Sequence, residues 1–145
     1  MPYSPLIVNP MRQELASIGF EDLTTAEAVD EFMRQAAPSA ILVINSVCGC
    51  AAGQARPGVA LAMQSENRPE RAVTVFAGQD LEATQKAREY FADIPPSSPA
   101  IALFKEGELV YFVPRHRIES RSAEEVATDL TAAFERYFAP AATAS

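Results

Sequence analysis

The chain has 145 residues, of which 48% are hydrophobic, and its formal net charge at pH 7 is -7. This length suits one domain with a substantial core, and the acidic balance makes nucleic acid a poor partner. No apolar run approaches the roughly 20 residues that span a bilayer, and the first five residues carry no charged leader. We therefore expect a cytoplasmic protein without a membrane partner.

Residues 9–39 predict two helices. Asn9 and Pro10 suit an N-cap and a first helical position, and apolar residues then repeat at helical spacing up to Gly19. A second helix would start with a capping box over Thr24–Glu27. These amphipathic patterns favour an extension that packs on a sheet over an arm that binds a partner, although a homodimer could share the same apolar faces.

An apolar, β-branched run from Ala40 to Val47 predicts a buried strand. It leads into the only two cysteines of the chain, Cys48 and Cys50, at an expected helix start. Free backbone N–H groups and the helix dipole favour a thiolate there, so Cys48 is the candidate nucleophile. Cys50, expected to be less exposed, is the candidate resolving cysteine. Gly49 between them would let the backbone bend so that the sulfurs meet.

The remaining elements alternate in type along the chain. The helix after Cys48 carries Gly53 and Pro57, which predict a kink, and it should run to about Met63. The later patterns predict a strand at 72–76, a helix at 81–91 capped by Asp80, a hairpin of strands 100–104 and 109–113, and a last helix opened by a capping box at 122–125.

The order β-α-β-α-β-β-α is the thioredoxin arrangement. We therefore expect an α/β, thioredoxin-like fold with a central mixed sheet flanked by helices. A single domain would cover residues 1–145, with an N-terminal helical extension (1–39), a redox core (40–138) and a flexible tail (139–145).

The string Cys-Gly-Cys-Ala-Ala-Gly-Gln-Ala-Arg-Pro-Gly at 48–58, preceded by Val-Ile-Asn-Ser-Val, resembles the bacilliredoxins. These are bacterial thioredoxin-fold proteins with a Cys-X-Cys centre, and the similarity covers nearly the whole chain. The resemblance implies an oxidoreductase that removes the small thiol bacillithiol from mixed disulfides with client proteins. Bacillithiol would be a co-substrate, and no cofactor is expected. General protein disulfide isomerase or reductase activity is the alternative.

The resemblance also places Ser98 and Pro99 where the thioredoxin fold has a cis-proline facing the redox centre. Without that context, only about 5–6% of X-Pro bonds in folded proteins are cis. We take Gly49, Arg56, Ser98 and Pro99 as candidate substrate-binding residues. Arg56 could stabilise a thiolate or contact the carboxylates of bacillithiol, or it could be a solvated helix residue. His116, the only histidine, is interpreted as a surface loop residue rather than a general base.

Two other functions remain open from the residues alone. Neighbouring thiolates suit zinc or Cu(I), but a closed zinc site needs four ligands, and the chain supplies two cysteines and one histidine. We therefore expect no metal site. The cysteines could instead be inert residues of an interaction protein, but their position at a helix start argues against that.

Overall fold

The structure is a computed structural model that describes residues 3–35 and 37–140. Part of the predicted tail, residues 141–145, lies outside the described residues. In chain order the elements are α1 (Pro5–Ala16), β1 (Glu21–Asp22), α2 (Ala26–Arg34), β2 (Ala40–Asn45), a π-helical turn (Ala51–Ala55), α3 (Arg56–Ala62), β3 (Arg71–Phe76), α4 (Leu81–Glu89), β4 (Ala100–Lys105), β5 (Glu108–Val113), α5 (His116–Glu119) and α6 (Ala123–Phe138).

The strands form one mixed sheet in the order β1-β3-β2-β4-β5. The strand β3 pairs in parallel with both β1 and β2, whereas β4 pairs antiparallel with β2 and β5. All six residues of the central strand β2 are buried, as its continuous apolar run predicts. The predicted α/β fold with a mixed sheet flanked by helices is confirmed.

Alternating residues of β2 serve two separate cores. Ile41 and Val43 pack with buried residues of α3 and α6 on one face of the sheet. Leu42 and Ile44 pack with α2 and α4 on the other face. The period-2 alternation of a strand therefore explains how one short segment holds helices on both sides.

The first helix starts earlier than the sequence predicts. Ser4 is its N-cap and accepts a hydrogen bond from the N–H of Leu6, so Pro5 rather than Pro10 takes the first helical position. Both Ser-Pro and Asn-Pro are start signals, and the earlier start buries Val8 in the core. In the second helix the cap is Thr25 instead of Thr24, and its Oγ1 accepts from the N–H of Ala28 at 3.0 Å.

The hairpin and the last helix follow the sequence prediction. Glu106 and Gly107 both have positive φ at the turn between β4 and β5, the conformation that tight hairpins require. Ser122 and Glu125 form the predicted capping box at the start of α6. None of the helices in the described part of the chain is both long and apolar enough to cross a membrane.

Candidate active site

The strand β2 ends at Asn45, two residues before the predicted Val47, because polar side chains turn the backbone. The N–H of Ser46 donates to Asn45 Oδ1 at 2.8 Å, and the N–H of Cys48 donates to Ser46 Oγ at 2.9 Å. Local bonds of this kind compete with the ladder of a sheet. We name residues 45–50 the redox loop.

Cys48 and Cys50 are joined by a disulfide in this structure. Cys48 is half-buried, whereas Cys50 is buried, with 9% of its surface exposed. The N–H of Cys50 donates to Cys48 Sγ at 3.3 Å, and the carbonyl of Cys48 accepts from the N–H groups of Ala51 and Ala52. The more exposed cysteine is therefore the one whose sulfur accepts a backbone N–H at a helix start.

Gly49 is exposed, but its backbone differs from the expected sharp bend. It is absent from the glycines with positive φ, and a Cβ added to it would meet no atom within 4 Å. The disulfide therefore closes without a conformation that only glycine adopts. What Gly49 contributes here is an open surface beside Cys48.

The expected kink after the cysteines takes the form of the π-helical turn. The N–H of Arg56 donates to the carbonyl of Ala51, five residues earlier, and Pro57 then lies in the first turn of α3. Because a proline has no N–H, residue 57 donates no bond to a carbonyl of the π-helical turn that precedes it. The sequence around Pro57 thus sets where the helix changes its register.

Arg56 is only 2% exposed, which corrects the alternative of a solvated helix residue. One terminal nitrogen donates to Asn45 Oδ1 at 2.8 Å and to the carbonyl of Ser46 at 2.9 Å. Its Nε lies 3.1 Å from a carboxylate oxygen of Glu14, without hydrogen-bond geometry. In this position Arg56 offers no surface to a substrate. It stabilises the redox loop through its bonds to Asn45 and Ser46.

A second arginine ties the N-terminal extension to the same end of the sheet. Arg12 donates two bonds of 2.9 Å to the carboxylate of Asp80 and lies 3.6 Å from Asp22. Asp80 is at the N-cap of α4, but its side chain makes this ion pair instead of the predicted cap. Burial raises the pKa of Asp22, while Arg12 opposes that rise.

The Ser98–Pro99 peptide bond is cis, as predicted. Pro99 is buried and directly precedes Ala100, which pairs with Ile44 of β2. In this antiparallel register Pro99 comes next to Asn45, where the redox loop begins. The side chain of Arg115 donates to the carbonyl of Ser98 at 3.3 Å, so this segment is held from its other side as well.

His116 is exposed, as predicted, but it begins the short helix α5 rather than lying in a loop. Within the described ranges, no three His, Cys, Asp or Glu side chains are grouped so that they could hold a metal ion.

Asn45 and Ser46 are the functional residues that sequence reasoning missed. An Asn-Ser pair directly after a buried strand is a turn signal that could have identified them.

Fold and site together define a thiol–disulfide oxidoreductase of the thioredoxin fold. A family model described as disulphide isomerase matches residues 3–138. A bacilliredoxin of Bacillus cereus is 54% identical over 135 residues, which are 92% of this chain and 94% of that protein. The chain belongs to the bacilliredoxin family.

Relatives from other bacteria agree with this placement, and two solved structures share the fold. Bacilliredoxins of Salinibacter ruber and Cytophaga hutchinsonii are 55% and 56% identical, over 94% and 92% of this chain and 82% and 98% of their own lengths. A thioredoxin of Malassezia sympodialis superposes with a TM-score of 0.55 at 17% identity, covering 83% of this chain and 92% of its own. Another structure, described as having a thioredoxin fold, gives 0.57 at 12% identity and covers 79% and 91%.

Proposed function

We propose that this protein removes bacillithiol from client proteins, reducing mixed disulfides between that small thiol and protein cysteines. The observation that carries the proposal is the unequal exposure of a bonded cysteine pair at a helix start, with the more exposed sulfur accepting a backbone N–H. Amides in that position stabilise a thiolate, which is the nucleophile in disulfide exchange. The names of the relatives support bacillithiol as the small thiol.

The reaction starts from the reduced pair. The Cys48 thiolate attacks the bacillithiol sulfur, forming a Cys48–bacillithiol disulfide and expelling the client thiolate. The Cys50 thiolate then attacks Cys48 Sγ, releases bacillithiol and forms the Cys48–Cys50 bond. Two electrons pass from the pair to the mixed disulfide, and two further equivalents of small thiol return the pair to its reduced state.

Neighbouring residues have supporting parts in this scheme. Gly49 would leave the approach to Cys48 open, because it is exposed and has no side chain. Ser98 and Pro99 would receive the extended client segment, since free backbone groups beside the strand start can pair with it. Arg56 would keep the redox loop in shape rather than contact substrate. Reduction of clients by thiol exchange also fits the cytoplasm, where thiols are kept reduced.

General disulfide isomerase or reductase activity is the second candidate, because the matching family model is described as disulphide isomerase. In that reaction Cys48 would attack a disulfide between two client cysteines and form a mixed disulfide with the client itself. The two candidates therefore differ in which molecule becomes attached to Cys48.

The test is the intact mass of the Cys50→Ser variant after it is mixed with a client carrying a bacillithiol adduct. We expect the bacillithiol mass to move onto Cys48 while the client returns to its free thiol, since Cys50 is no longer present to resolve the adduct. A client with a glutathione adduct measures selectivity, and Cys48→Ser is the control that should react with neither. Accumulation of protein–protein disulfides would favour the isomerase candidate, and an active Cys48→Ser variant would refute the mechanism.

A further inference from the structure

A cavity of about 480 Å³ opens beside α4, on the side of the chain that leads to Pro99. This volume is within the range of about 300–1,000 Å³ typical of small-molecule sites. The lining combines apolar side chains with a few polar ones, among them Gly78, Leu81, Thr84, Gln85, Arg88 and Pro96.

Two polar groups of this lining have no partner within the protein. Thr84 is only 3% exposed, and its Oγ1 makes no hydrogen bond. The Nε of Arg88 is buried and is also without a partner. Buried polar atoms are nearly always paired, so these two groups are the ones on this cavity that a bound ligand would satisfy.

The feature of the cavity that favours an anion is its arginine, which has no carboxylate partner. In the part of the chain that the structure describes, no carboxylate forms an ion pair with Arg88, and burial alone lowers its pKa. Glu89 also lines the cavity, but its carboxylate accepts from Lys86 Nζ at 3.2 Å. The cavity therefore contains a guanidinium without a direct ion pair, beside a carboxylate that Lys86 already engages.

The cavity lies along the edge of the sheet where the redox loop begins. Gly78 follows β3, whose last residue Phe76 pairs with Asn45 at the start of that loop. On the other side, Arg88 donates to the carbonyl of Ser97 at 3.2 Å, directly before the Ser98–Pro99 bond. Two lining residues are thus linked to the site, Gly78 through the end of β3 and Arg88 through its bond to Ser97.

We propose that this cavity binds a carboxylate of the small acidic thiol, with Arg88 and Thr84 Oγ1 as its donors. The proposal rests on the function above, because the carboxylate end would occupy the cavity while the sulfur of the same molecule meets Cys48. Arg88 is suited to this task because a planar guanidinium pairs with a carboxylate through two parallel bonds. The cavity would thereby select acidic thiols over neutral ones.

The first test compares two adducts of one client protein, with mercaptosuccinate and with mercaptoethanol, as substrates for the reduced chain. The rate constant for release of client thiol is measured for the wild type and for Arg88→Gln. We expect the variant to lose about tenfold more in rate on the dicarboxylate adduct than on the neutral one, because only the former uses a charged hydrogen bond. Arg88→Lys should recover part of the loss, and Arg136→Gln, which removes an equal charge from α6, should lose nothing.

The second test measures binding without chemistry. Succinate is titrated into the labelled protein, and NMR shifts of the Thr84 and Arg88 amides are followed. We expect both amides to shift in the wild type and not in Arg88→Gln. A second variant, Thr84→Val, keeps the shape of the side chain but removes the hydroxyl, and it should also weaken succinate binding. It serves as the test if Arg88→Gln does not fold. Succinate without effect on these amides, or equal rates for both adducts in Arg88→Gln and wild type, would overturn the cavity proposal. Inactivity of the wild type on both adducts, with succinate still bound, would refute the proposed function alone.

Discussion

Arg56 joins the redox loop to the N-terminal helix through a buried guanidinium. Its partners are Asn45 and the carbonyl of Ser46 on the loop, and the carboxylate of Glu14 on α1. Burying a cation is costly unless its donors are paired, so these contacts must offset much of the desolvation. They also fix Ser46, whose hydroxyl accepts the N–H of Cys48.

Replacing Arg56 by methionine tests this arrangement. Arg56→Met keeps an unbranched side chain but leaves the Ser46 carbonyl without its donor, so we expect a loss of about 1–3 kcal/mol in the free energy of unfolding. The loosened loop should also slow formation of the Cys48 adduct. Urea unfolding and the time course of the adduct mass measure the two effects.

Arg34 provides the matched control for that substitution. Its side chain is 67% exposed and pairs with Glu31 on the same helix, so Arg34→Met should leave both the midpoint of urea unfolding and the adduct rate nearly unchanged. Equal losses of stability and of adduct rate in the two variants would mean that Arg56 does not stabilise the redox loop.

The helices α3 and α6 pack tightly against each other at Gly58. A Cβ on Gly58 would lie 2.8 Å from two side-chain atoms of Val126 and 3.0 Å from the carbonyl of Ala123. These distances leave no room for a methyl group. The helix that follows the redox loop can therefore pack this closely on the last helix only because residue 58 has no side chain.

Alanine substitutions at two glycines separate this contact from helix propensity. Gly58→Ala should lower the free energy of unfolding by about 1–3 kcal/mol, because it overpacks the α3–α6 contact. Gly53→Ala, in the exposed part of the π-helical turn, should be neutral or gain up to about 1 kcal/mol, since its Cβ would meet no atom. Thermal and urea unfolding measure both, and a Gly58→Ala variant as stable as the wild type would refute the close contact.

Elements defined by local signals could be predicted from the sequence. The continuous apolar run of β2, the glycine turn of the hairpin and the Ser122–Glu125 capping box each carry their own pattern. The strand β1 has only two residues and forms by pairing with β3, so no local pattern predicts it.

Within the candidate site, too, some features follow from the sequence and others depend on tertiary packing. Its cysteines and the cis bond before Pro99 could be predicted from a motif and a resemblance. The burial of Arg56 and the ion pair between Arg12 and Asp80 depend on how α1 packs, which sequence spacing does not contain. These tertiary contacts exclude the solvated alternative for Arg56 and replace the expected helix cap at Asp80.

At the scale of the whole molecule, the N-terminal extension is built into the core of the sheet. Leu15 of α1 is fully buried in the same cluster as Ala55 and Val59, which follow the redox loop. Val8 lies about two helical turns before Leu15 on the same face of α1 and is 1% exposed. An arm that only docks with partners would leave these residues on the surface, so we expect residues 1–39 and the redox core to unfold together.

Truncating Leu15 tests that cooperativity. Leu15→Ala should lower the free energy of unfolding of the whole chain by about 2–5 kcal/mol, because it leaves a cavity beneath α3. Leu6→Ala on the same helix, where the side chain is 88% exposed, should change it by no more than about 0.5 kcal/mol. Urea unfolding followed both by circular dichroism and by loss of thiol exchange should give one shared transition in each variant, displaced to lower urea only in Leu15→Ala. If Leu15→Ala instead produced an early, separate transition that left exchange intact, the extension would be an independent unit and the redox core would stand without it.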